Sequence, residues 1–188
     1  MDRKLLSGFL FFLLTFSALA QTQENTLNIQ IKSDSIVYNQ VVLDTNIEKA
    51  ILLGYCTVEG ISSSPIFSNY YSKEYHSYTP KLDFLETRSG DLNQVKIVLI
   101  FGSWCSDSQR EVPRFMRILD EMNYPLDSLT IIGVNRIKLV PNVNIKRYMI
   151  EFVPTIIFYR DNFEIGRIVE GPKETLEDDI ASIIMRRF

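Results

Sequence analysis

The chain predicts an α/β fold, a central sheet flanked by helices with an N-terminal extension, on three observations. Two apolar runs, Ile97-Val98-Leu99-Ile100-Phe101 and Thr130-Ile131-Ile132-Gly133-Val134, lack polar alternation, as central strands covered on both faces do. The terminal segment sets Leu176, Ile180, Ile183 and Ile184 at helical spacing, with Glu177, Asp178 and Asp179 expected outward. Length and composition allow such a core: 188 residues, 46% hydrophobic and 23% charged, suit one domain with extensions.

Arg3 and Lys4, an apolar stretch from Leu5 to Phe16, and Ala18-Leu19-Ala20 before Gln21 read as an export signal over residues 1–20. The stretch is shorter than the ~20 residues of a spanning helix. The expected location is therefore the periplasm, the cell envelope or the exterior, with no stable membrane span after cleavage. Residues 21–45 form an extended arm or strands, since Leu27, Ile29 and Ile31 recur at period two. One α/β domain takes residues 46–188, with a helical extension before a core at about 95–188.

Asp44-Thr45-Asn46 is expected to cap a helix beginning near Ile47, which makes Ala50 to Cys56 an apolar helical stretch. Ser64-Pro65 opens a second helix towards Tyr78. Phe67, Tyr71 and Tyr75 share a face of it, either a core stripe or a ligand-binding aromatic wall. There follow a strand at 96–101, a helix at 106–122 bent at Pro113, a strand at 129–134, a short helix at 143–149, strands at 155–159 and 163–170, and a helix at 173–187.

The first of these strands delivers Cys105 to the opening turn of the next helix. Backbone N–H groups there lack helical partners and the helix dipole favours negative charge, so a thiolate is stabilised. Cys105 is thus a candidate nucleophile. Ser106 with Gln109, and Ser108 with Glu111, have capping-box spacing, and Ser108 is equally placed to hydrogen-bond the Cys105 sulfur. The other cysteine, Cys56, reads as a buried core residue or a resolving thiol.

Trp104-Cys105-Ser106-Asp107-Ser108, Pro113 eight residues after the cysteine, and Val153-Pro154-Thr155 resemble the thioredoxin superfamily. More narrowly, with Arg110-Glu111-Val112-Pro113-Arg114-Phe115 and Gly166-Arg167-Ile168-Val169-Glu170, the chain looks like exported thioredoxin-like proteins with one cysteine in a Trp-Cys-x-Asp-Ser motif. The resemblance covers about residues 95 to 188. It implies a thioredoxin fold with a central mixed sheet, a cis Pro154 that sets the Val153 backbone beside Cys105 to guide substrate, and Trp104 flanking the thiol. It also exposes two departures. Ser108 stands where thioredoxins carry the resolving cysteine, and Leu99 where they carry the buried aspartate that deprotonates it.

A lone thiol can form a mixed disulfide but a serine hydroxyl cannot resolve it. The function expected is therefore monothiol (CxxS) exchange with protein or low-molecular-weight thiols and disulfides; the alternative is a redox-inactive module binding extended peptides non-covalently. No cofactor is expected. Two cysteines and the sole histidine, His76, match no metal-ligand spacing, so no metal is expected either. A net charge of −3 without a basic, aromatic-interleaved face argues against nucleic acid.

Overall fold

Side chains alternate across a strand, so a fully apolar strand must be buried on two sides, and the computed structural model, which describes residues 36–186, builds both sides. Its elements are β1 (Gln40–Asp44), β2 (Lys49–Cys56), α1 (Val58–Ser63), α2 (Ser68–Ser77), the short α3 (Asp83–Glu86) and α4 (Ser89–Leu92), β3 (Lys96–Phe101), α5 (Ser106–Glu121), β4 (Leu129–Gly133), β5 (Thr155–Arg160), β6 (Phe163–Val169) and α6 (Leu176–Ile184). They form one six-stranded sheet of order β1-β2-β4-β3-β5-β6. Strands β3 and β4 pair in parallel, Leu99 opposite Ile131, and the other pairings are antiparallel. Parallel neighbours need a long crossover, and α5 supplies it. The export signal and the Leu27-Ile29-Ile31 pattern lie outside the described residues.

Ile97, Leu99 and Phe101 enter one core with Phe115, Ile156, Phe158 and Ile180, beneath α2, α5 and α6. Val98 and Ile100 enter the other with Ile132, Val134, Ile145, Tyr148, Val153 and Ile157, beneath the segment that joins β4 to β5. Pro113 lies inside α5 without ending it. Phe67 is fully buried against Phe101, ring centroids 5.4 Å apart, and Tyr71 is buried beside it, so the aromatic face of α2 packs into the core.

Three expectations are corrected. The helix near Ile47 is instead an antiparallel hairpin, with Asp44 opposite Lys49 and Gln40 opposite Leu53. Asp44 makes a turn rather than a cap, its carboxylate accepting from the Asn46 amide at 2.9 Å and the Arg136 amide at 3.0 Å. Those two backbone donors hold the Asp44 carboxyl below its ordinary range. Cys56 accordingly ends a strand and not a helix; a short apolar run has no periodicity with which to tell the two apart.

The second correction is Glu177, expected outward but buried. Its carboxylate accepts from the Tyr78 hydroxyl at 2.9 and 3.1 Å and from the Lys81 amide at 2.9 Å, tying the chain after α2 to α6. Burial, then the Glu177 carboxylate, raise the Tyr78 phenol above its usual range. Third, the first turn of α5 carries no capping box. Its N-cap is Cys105, which makes no side-chain cap bond.

Candidate functional site

The site is built where β3 ends. The Cys105 amide donates to the Gly102 carbonyl at 2.9 Å, folding the chain back, and the Cys105 carbonyl accepts from Gln109 at 2.9 Å to start α5. Two buried serines brace this turn. Ser103 accepts from the Leu52 amide of β2 at 2.9 Å, and Ser108 accepts from the Gly102 amide at 3.2 Å. The Gln109 side-chain amide donates to the Ser103 carbonyl at 2.9 Å.

Trp104 lies beside the thiol, its indole N–H donating to the Val134 carbonyl at 2.9 Å and its ring capped by the Arg136 guanidinium at 4.7 Å. Glycine at 102 leaves room for the ring: an added Cβ would stand 2.6 Å from that indole, which would have to shift. Cys105 is half-buried, and its thiol donates to the Val153 carbonyl at 3.2 Å. The Val153–Pro154 bond is cis. This loop is held from both sides, by the Thr155 hydroxyl on the Phe152 carbonyl at 2.7 Å and the Glu170 amide on the Pro154 carbonyl at 2.7 Å.

Cys105, Trp104, Val153 and Pro154 are therefore brought together. Ser108 is adjacent but faces inward, fully buried, with its hydroxyl on Gly102. Cys56 is elsewhere. It belongs to the core beneath α5, whereas Cys105 packs against the opposite core, and the two form no disulfide. Burial pushes the Cys56 thiol up to about 11. His76 is exposed on α2, edge-on to Tyr75. Among the described residues no His, Cys, Asp or Glu group could hold a metal, and no helix is long and apolar enough to cross a membrane.

The charges of the motif pair locally, whereas Ser103 and Arg136 had no sequence signal. Asp107 is paired with Arg110 at 3.0 Å, and Arg110 is anchored in turn by buried Glu111 at 2.5 Å. Ser103 is tied to Leu52 of β2, 51 residues away, and Arg136 reaches Trp104 from the chain after β4. A charge or hydroxyl with partners that far along the chain has no local pattern to reveal it.

No family model and no curated protein matches the chain. Among solved structures it is similar to a thioredoxin of Fasciola hepatica, at 16% identity over 54% of this chain and 88% of that one, TM-score 0.35. A thioredoxin of Aeropyrum pernix is similar at 16% identity, 52% and 82% coverage and TM-score 0.37. Trxlp of Edwardsiella tarda is similar at 18% identity, 58% and 96% coverage and TM-score 0.36. The chain's own architecture, a mixed sheet flanked by helices with a cysteine at the strand-to-helix turn and a proline loop against it, is the fold class that the resemblance in the sequence implied.

Proposed function

We propose that the protein is an exported monothiol exchange protein, with Cys105 as its attacking sulfur and residues 1–20 as its export signal. The observation that carries this reading is the half-exposed Cys105 thiol at the start of α5, 3.2 Å from the Val153 carbonyl beside Pro154. Deprotonated, that sulfur attacks one sulfur of a partner disulfide. A new S–S bond joins Cys105 to the partner while the partner's other sulfur departs with the bonding pair and takes up a proton. Trp104, Val153 and Pro154 line the approach. Release requires a second thiol from outside, a protein or a low-molecular-weight thiol, because Ser108 offers a hydroxyl occupied by Gly102 and Cys56 lies in the other core.

The test is covalent trapping in cell-envelope extract under non-reducing conditions. Wild type is expected to give adducts that reductant releases and that Cys105→Ala lacks. Partners retained equally by both proteins, and unaffected by reductant, would refute thiol exchange and leave a non-covalent peptide-binding module.

A further inference from the structure

The approach to Cys105 is flanked by residues 135–152, which differ in charge from the rest of the chain. The protein as a whole has 23 acidic and 20 basic side chains, yet this segment holds four cations, Arg136, Lys138, Lys146 and Arg147, against one acid, Glu151. Among the described residues none of the four is in an ion pair. Arg136 lies over Trp104 and Arg147 over Tyr148, so both guanidiniums are stacked and their charge is left unanswered.

The same segment exposes apolar surface. Ile137 is 57% exposed, Leu139 45%, Met149 75% and Phe152 50%, a concentration that marks an interaction surface better than scattered single side chains do. Lys138 and Lys146 line one hollow of about 520 Å³ with Ile137, Leu139 and Met149, and the single acid Glu151 on its wall leaves the two lysines in excess. Its floor includes Ile145, which is buried in the core against which Cys105 packs.

We infer that residues 135–152 are a docking platform for the disulfide-bearing partner, and that it selects an extended polypeptide segment carrying apolar side chains next to carboxylates. The apolar side chain fills the hollow; the carboxylates pair with Lys138 and Lys146. A protein segment, rather than a lipid surface, is favoured because Arg136, next in the chain to Ile137 of the hollow, stacks on Trp104, the neighbour of a thiol whose proposed chemistry requires a second sulfur. This deepens the function proposed above and rests on it for the choice of a disulfide-bearing partner and for the covalent readout.

The test uses the full chain and two synthetic peptides, each with one cysteine capped as a disulfide with pyridine-2-thiol. One has Glu and Leu around the cysteine, the other Lys and Leu. The Cys105 thiolate bonds to the peptide sulfur, the peptide–pyridine S–S bond breaks, and pyridine-2-thiolate leaves with the bonding pair, is protonated and is read by its absorbance. Steering of this kind acts on association rate, and at low salt the acidic peptide is expected to react about tenfold faster, the difference shrinking in 1 M salt as surface charges are screened. Lys138→Glu with Lys146→Glu should reverse the preference while leaving alkylation by neutral iodoacetamide unchanged.

A thiol-independent arm measures anisotropy of labelled peptides with Ser in place of Cys, and the same preference and reversal are expected in Kd. Equal affinities for the two peptides, or a preference that survives charge reversal, overturn the platform. So does equal peptide affinity accompanied by sedimentation on anionic phosphatidylglycerol vesicles, which would assign the surface to lipid. Inert Cys105 with intact peptide selectivity defeats the exchange function and supports the platform.

Discussion

Replacing Glu177 by Ala removes the acceptor for the Tyr78 hydroxyl and the Lys81 amide, three contacts of 2.9 to 3.1 Å at a carboxylate that is only 5% exposed. Hydrogen bonds to a charged group contribute about 1.5–3 kcal/mol each. Both donors are only partly buried, so water recovers some of each loss and the lower figure applies. Two donors at the low end give a destabilisation of about 3 kcal/mol. For a domain of this size each kcal/mol lowers Tm by about 2–4 °C, so a fall of about 6–12 °C is expected. Thermal unfolding followed by far-ultraviolet circular dichroism measures it, and Glu177→Gln, which keeps one acceptor oxygen, should fall between. Tyr78→Phe added to Glu177→Ala should cost less than the sum of the two single changes, because they remove one shared interaction. A Tm within about 2 °C of wild type would show that the Tyr78–Glu177–Lys81 junction contributes nothing to the fold.

Two further outcomes follow from the site. With its thiol pushed up to about 11, Cys56 stays protonated through the neutral range; native protein at pH 7 should incorporate one maleimide, at Cys105, and Cys56 should react only as pH nears 11 or after unfolding, as peptide mapping would reveal. Rapid labelling of Cys56 in native protein at pH 7 would contradict its placement. Gly102→Ala drives a methyl group into the indole at 2.6 Å, so it should move the emission of Trp104, the sole tryptophan, and alter the rate at which Cys105 is alkylated. Unchanged emission and rate would mean that the ring is not held there.

What was legible in the chain, and what was not, divides along contact range. The runs at 97–101 and 130–134 read as central strands because burial on both faces leaves a local signature, and the helix from Ser106 was marked by its polar opening after an apolar strand. The stretch from Ala50 to Cys56 was equally apolar, but it stands at the second position of the sheet, paired to β1 and β4, and nothing within seven residues distinguishes that setting from a buried helix. Ser108 shows the limit within the motif itself. Its spacing fits a capping box, yet its hydroxyl accepts from the Gly102 amide six residues back, a closeness created only when β3 turns into α5. Glu177 is the extreme case, since Tyr78 lies 99 residues away in the chain.

The two sulfurs stand on opposite sides of a six-stranded wall, and under the exchange function proposed above that separation would decide the fate of an adduct on Cys105. A dithiol enzyme carries its own exit and resets itself; this molecule has no inner route from one sulfur to the other. The lifetime of anything captured on Cys105 is then set by the concentration of free thiol in the surroundings, so the protein would hold its catch in oxidising conditions and surrender it in reducing ones.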